Sequence, residues 1–260
     1  MAEWFFLSFD GSILLFFILG LILGRLGAIL TKLFSEMKKI KAGFLSFFLH
    51  CQNQWGWIPF SWPIQKITGR KVPVRPFIIE FLMAILFALL FYFVGWKYVL
   101  LEYLIFTFAL VVASAVDLEQ MILPDSLTLS GIVIGLVGAL LNPESGREFW
   151  PALAGVLMGG GFLWFIAVCY YAIRKEEGLG GGDIKLLAWI GAVLTWRAVP
   201  FVILLSCFMG LFTGVFMMFR SKNYLQQSIP FGPYLAFSGL MYIFCGEELT
   251  HLYLSLFYMR

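Results

Sequence analysis

Residues 98–116 read YVLLEYLIFTFALVVASAV, and the residue that follows is Asp117. The run is apolar except for Glu102, Thr107 and Ser114. A helix crossing the hydrocarbon core of a bilayer needs ~20 predominantly apolar residues, whereas a strand of a membrane barrel alternates over ~10. A continuous run of this length therefore predicts a membrane-spanning helix, with a carboxylate set at its end. Working outward, seven further runs follow the same pattern, at 11–31, 77–96, 127–142, 150–173, 184–196, 198–219 and 231–246. The fold class is an all-α polytopic membrane protein, with about eight transmembrane helices and one larger N-terminal cytoplasmic loop. The sixth run is short. Gly191 either lets it continue or leaves it ending in a cavity lined by protein. The tail, 247–260, is mixed in character and is expected at an interface.

Composition agrees with this reading. Of the 260 residues, 61% are apolar, 18% aromatic and 13% charged, and mean hydropathy is +0.91. Soluble domains carry about 25% charged residues, so a water-soluble globule, a disordered chain and a disulfide scaffold are excluded. A net charge of +3 is too small to argue for nucleic acid. Cys169, Cys207 and Cys245 lie in apolar runs and are expected to be packed inside, while Cys51 beside His50 supplies too few ligands for zinc.

Charge in the loops sets an orientation. No basic residue precedes the first run, and Arg25 and Lys32 are read as following it, the pattern of an uncleaved anchor with its N-terminus outside. Threading eight spans from there places fourteen Lys and Arg residues on one side and Lys97, Arg147, Arg197 and Arg260 on the other. Basic loops stay in the cytoplasm, so both termini are expected outside. The long loop, 33–76, mixes Lys38, Lys39 and Lys41 with Trp55, Trp57 and Trp62, which suits a membrane surface. Gly20-x-x-x-Gly24 and Gly131-x-x-x-Gly135 are candidates for close helix contacts.

Ionisable groups near membrane depth are costly and ask for a reason. Asp117 ends one run. Asp183 opens another, after Gly178-Leu179-Gly180-Gly181-Gly182. Both fall at cytoplasmic helix ends, so they can face one another. Two carboxylates sharing a site hold one proton between them. One can then take a proton from water while the other polarises a carbonyl, as peptide hydrolysis requires. The glycines would permit positive φ and leave room for a second backbone. Asp125 is expected to open the fourth helix. Glu80 and Glu102 are the acids well inside spans, and neither has an evident basic partner in the sequence.

Three segments together carry a resemblance: Asp117-Leu118-Glu119-Gln120-Met121-Ile122-Leu123-Pro124-Asp125, Gly178 through Leu187, and Ile229-Pro230-Phe231-Gly232-Pro233. The chain resembles the type IV prepilin peptidases, bacterial members of the GxGD aspartyl proteases, from about residue 12 to 245. The resemblance implies Asp117 and Asp183 as the catalytic pair and Gly180, Gly181, Gly182 and Lys185 as the active-site loop. Pro230, Phe231, Gly232 and Pro233 become candidates for lining the substrate site. It implies removal of the short basic leader from type IV prepilins, or from pseudopilins of type II secretion, after a glycine at the cytoplasmic face of the bacterial inner membrane. Glu119, Glu176 and Glu177 have the charge to attract that leader. Pro151-Ala152-Leu153, which spells a motif of presenilin-like proteases, precedes the Gly-x-Gly-Asp segment and reads as a helix start.

The family also methylates the new N-terminus with S-adenosylmethionine. On the resemblance, residues 1–96 are the methyltransferase-like region and 97–260 the peptidase region. Gly69, Arg70 and Glu80 are the methyl-transfer candidates. Many members bind zinc through two CxxC pairs in the first loop. This loop has only Cys51, and Lys71 stands where a cysteine is expected, so no zinc is expected and methylation is left open. Proteolysis needs no cofactor. Partners are prepilins or pseudopilins and the bilayer, with no nucleic acid and no oligomeric state indicated. Two other readings remain at this point: an ion- or proton-coupled carrier using the paired aspartates, and a pilin-binding assembly factor that does not cut.

Overall fold

The computed structural model describes residues 2–37, 74–141, 148–176, 178–220 and 230–258. Among them every regular element is an α-helix: α1 (Ala2–Met37), α2 (Val74–Val94), α3 (Tyr98–Gln120), α4 (Asp125–Leu141), α5 (Phe149–Arg174), α6 (Gly181–Leu194), α7 (Ala198–Arg220) and α8 (Gly232–Tyr258). Among the described residues, five helical stretches are long and apolar enough to cross a membrane: Gly11–Phe34, α2, α3, α5 and Ala198–Phe219. α4 is apolar but shorter. The chain divides into two compact units, Met1–Val116 and Asp117–Arg260.

In the first unit, α1 lies against α2 along the Gly20/Gly24 stripe. A methyl group at Gly20 would sit 2.6 Å from Ala84 Cα, and one at Gly24 would sit 2.7 Å from Glu80 Cα. Only glycine lets these backbones approach so closely, as the spacing predicted. Beside the stripe, Arg25 Nη1 donates to Glu80 Oε1 at 2.8 Å, and both side chains are buried. This corrects two readings. Arg25 belongs to the apolar helix rather than to the loop after it, and Glu80 has a basic partner. The partner lies 55 residues away in sequence, so no local pattern announces it. Phe16 stacks on Phe91, with ring centroids 4.6 Å apart.

In the second unit, α6 is the central element. Every residue from Leu186 to Leu194 is buried. Gly131 of α4 lies against the Trp189 indole, and Gly135 against Ala192 and Val193, so this stripe also packs as predicted. Gly155 of α5 meets Gly191 backbone to backbone. Gly239 of α8 approaches Ile190. A helix apolar on every side and surrounded by protein need not match the bilayer thickness, which accounts for the shortness of α6. It ends at Thr195, held at φ 69°. α7 and α8 are joined by Ser206, whose hydroxyl lies 3.0 Å from that of Ser238.

One expectation fails here. Cys169 and Cys207 are exposed and Cys245 is half-buried, all three as free thiols. Apolar runs in such a chain supply the outer faces of helices as well as the core, so hydrophobicity alone does not locate a small apolar side chain. α8 also runs on through residues assigned to the tail, to Tyr258.

Candidate functional site

Asp117 sits in the last turn of α3. The helix closes just beyond it, where Met121 takes the left-handed conformation (φ 54°) and donates its N–H to the Asp117 carbonyl at 2.8 Å. A single left-handed residue is a common helix terminator. The chain then passes Leu123 and Pro124 and re-enters helix at Asp125, which opens α4 as expected. Only four residues, Met121 to Pro124, thus separate the helix that carries Asp117 from the next one.

Asp183 lies in the first turn of α6. The N-cap is Gly180, in extended conformation, and its carbonyl accepts the Asp183 N–H at 3.1 Å. Gly181 and Gly182 are therefore the first helical residues, not loop residues. Among the described glycines only Gly95 has positive φ, so left-handed freedom is not what the Gly180–Gly182 run supplies. The other expected use, room for a neighbour, holds at Gly182. A methyl group there would lie 2.8 Å from Leu123 Cβ.

The third segment joins the first. Gly232, the opening residue of α8, donates its backbone N–H to Asp117 Oδ2 at 3.0 Å. A methyl at Gly232 would lie 3.4 Å from Leu123 Cδ1. Leu123, 7% exposed, is therefore a wedge touched by the Gly182 turn on one side and the Gly232 turn on the other. The three motif segments meet around it. Leu123 lies within the first motif, and the sequence alone gives it no role. Its signal was its place between two helix ends, and nothing in the residue type distinguishes it from any other core leucine.

The electrostatics follow from this packing. Asp117 is 5% exposed and Asp183 is half-buried. Asp183 precedes the apolar run of α6, and burial pushes its carboxyl up to about 7, with the nearby Asp117 charge adding to the shift. Neither aspartate has a cation partner among the described residues. Lys185, two residues on, turns instead to Asp125, with Nζ 2.6 Å from Oδ1. The Lys185–Asp125 pair ties the start of α6 to the start of α4 at the exposed rim.

Of the remaining candidates, Pro230, Phe231 and Pro233 are half-buried, and Gly232 is the one that contacts an aspartate. The prolines do not disrupt α8; Pro233 sits in its first turn, where a missing N–H costs nothing. Glu119 and Glu176 are exposed. Gly69, Arg70, Cys51, His50, Lys71, the loop tryptophans and Glu177 lie outside the described residues. Glu80 is bound to Arg25, which removes one of the span acids a carrier would leave free. Among the described residues no group of three or more His, Cys, Asp or Glu side chains is arranged to hold a metal ion.

A model of the type IV leader peptidase family matches residues 104–215, a stretch that includes both aspartates. The chain is similar to the prepilin leader peptidase/N-methyltransferase of Aeromonas hydrophila, at 37% identity over 167 residues, covering 63% of this chain and 55% of that protein. It is 32% identical to the protein of the same name from Xanthomonas campestris pv. campestris over 205 residues, covering 77% of this chain and 71% of that protein. The match to the Stutzerimonas stutzeri protein of that name is 35% over 156 residues, or 58% of this chain and 52% of that one. The chain thus spans little more than half the length of the Aeromonas relative. No solved structure matches it.

Proposed function

Because the chain belongs to the type IV leader peptidase family, we propose that it is a membrane-embedded aspartyl endopeptidase acting on type IV prepilins or type II secretion pseudopilins. It removes their short basic leader after a glycine, at the cytoplasmic face of the bacterial inner membrane. The observation that carries this reading is the pair itself: Asp117 and Asp183, brought from two helices to one wedge, coupled in charge and with Asp183 raised to about 7. Such a pair holds one proton near neutral pH. Its ionised member takes a proton from water as the water oxygen bonds the scissile carbonyl, and its protonated member gives a proton to the carbonyl oxygen. The chemistry involves no covalent intermediate and calls for no cofactor or zinc.

The positive charge bias supports eight crossings with both termini outside and the aspartates on the cytoplasmic side. A hydrophobic substrate helix would dock among the spans while Glu119 and Glu176, with Glu177, draw in the basic leader. Residues 97–260 form the peptidase region in this reading, with the Gly180–Lys185 turn and the Pro230–Pro233 segment lining the site. Residues 1–96 are the methyltransferase-like region. Methylation would use S-adenosylmethionine and would draw on Gly69, Arg70 and Glu80. The burial of Glu80 against Arg25 favours a structural task for that residue and a peptidase-only enzyme.

Co-expression with a prepilin-like substrate, read by intact mass, tests both parts. The expected product lacks the leader and carries no added methyl group. An added ~14 Da, the mass of one CH2, would restore the methyl-transfer reading. A prepilin left whole beside well-folded enzyme would overturn the peptidase reading.

A further inference from the structure

We propose that Gly232 is a positioning residue that makes Asp117 the water-activating base and leaves Asp183 as the acid; this rests on the aspartyl-peptidase reading above. Two observations at one residue support it. The first is the hydrogen bond from the Gly232 N–H to Asp117 Oδ2 at 3.0 Å. A backbone N–H can only donate, and its bond to a carboxylate favours the ionised form. It comes from the first residue of α8, where N–H groups have no partner within their own helix and the helix dipole favours negative charge. Among the described residues no such N–H is donated to the Asp183 carboxylate.

The second observation is space. A methyl group at Gly232 would lie 2.6 Å from Asp117 Oδ2 and 3.2 Å from its Cγ. Glycine is required there by close approach, not by backbone conformation, since its φ is not positive. Any side chain displaces the carboxylate or breaks the bond that orients it. The Pro230–Pro233 segment thus acts on the aspartate, whatever it also presents to substrate.

The proton path then balances. As the water oxygen bonds the carbonyl carbon, Asp117 takes the water proton and Asp183 protonates the carbonyl oxygen. On collapse the C–N bond breaks and the leaving amine takes the proton from Asp117. A hydroxyl of the tetrahedral intermediate returns a proton to Asp183. One water is consumed and both carboxyls are restored.

The test uses the full chain in proteoliposomes with a prepilin substrate. Gly232→Ala should lower kcat about 10²-fold, the scale for losing one preorganised donor, with KM within about 2-fold of wild type as for a transition-state effect. The acid limb of its kcat–pH profile should move to higher pH. Gly214→Ala, on α7 with open space around it, should match wild type. Wild-type activity and an unmoved profile in Gly232→Ala would overturn the proposal. If Asp117→Asn and Asp183→Asn were still inactive, the peptidase reading would stand without it. Absence of cleavage by wild type would remove both. Should Gly232→Ala fail to fold, pH-difference infrared spectra just below neutral give an independent answer. The protonated-carboxyl band of the pair should persist in Asp117→Asn and vanish in Asp183→Asn; the reverse would overturn the assignment.

Discussion

The two units of the chain bury charge in opposite ways. In Met1–Val116, Arg25 and Glu80 neutralise one another beside a glycine stripe. In Asp117–Arg260, two like charges are brought together, and Lys185, two residues on from Asp183, is taken up by Asp125 at the rim. A neutralised buried pair sets helix register and does no chemistry. A buried pair of like charges is unfavourable unless one member keeps a proton, and that proton is what hydrolysis uses. The contrast teaches that burial alone does not mark a functional charge; the sign of its neighbour does.

The contrast can be broken most severely at the aspartates. Asp117→Asn or Asp183→Asn should each lower the cleavage rate by at least ~10³-fold, and the double variant should lose little more, because groups that act as a unit are not additive. Steady-state kinetics of the three variants would show a multiplicative loss if the residues acted separately. In the first unit, Glu80→Ala takes the carboxylate away from a buried guanidinium and should cost about 3–5 kcal/mol of stability. Arg25→Met with Glu80→Leu should recover most of that. Thermal melts in detergent separate the two, and a Glu80→Ala protein as stable as wild type would show that the pair is not structural.

A third test targets the scaffold beneath the site. Gly155→Ala places a methyl against the Gly191 backbone and should cost about 1–3 kcal/mol, as overpacking does. Cleavage should fall with it, since α6 carries Asp183. Melting and activity measured on the same preparation check that coupling.

The pH dependence sharpens the comparison further. Asp183 holds its proton more tightly folded than unfolded. The stability this contributes is full below the ordinary carboxylate range and is lost as pH rises toward about 7,. Cleavage should fall through the same upper limit, as the pair loses its shared proton. Asp183→Asn should flatten that part of the stability profile, which melts across pH would reveal. The smallest effect is expected at Lys185→Met. Its partner is exposed, so the loss should be within about 1 kcal/mol and shrink with salt; a larger loss would give the rim pair a greater part in holding α4 to α6.

Much of this arrangement is legible in the sequence. Apolar runs located the helices, because membrane length and hydrophobicity constrain each other. Asp117 and Asp183 stood out because charge at a span end is costly. The Gly20/Gly24 and Gly131/Gly135 stripes were readable because small-residue spacing is local. Gly155 and Gly159 carry the same spacing, and they too pack on α6, Gly159 facing Leu187. Other features are pairings across long separations. The Arg25–Glu80 bridge spans 55 residues and the Gly232–Asp117 bond spans 115, and no spacing rule reaches that far. The helical state of Gly181 and Gly182 is not legible because glycine predicts a turn, and the packing of Gly182 on Leu123 is a contact across a long separation. The exposed cysteines were misplaced because hydrophobicity does not distinguish a helix's inner face from its outer one.

The central claim is that Asp117 and Asp183 together cleave a peptide bond. Its most direct test is a single-turnover assay with purified enzyme in proteoliposomes and a prepilin carrying its leader. Wild type, Asp117→Asn and Asp183→Asn would be compared at matched folded concentration. The account predicts leader release by wild type only, with all three proteins melting cooperatively. Leader release by either asparagine variant at a rate near wild type would contradict it.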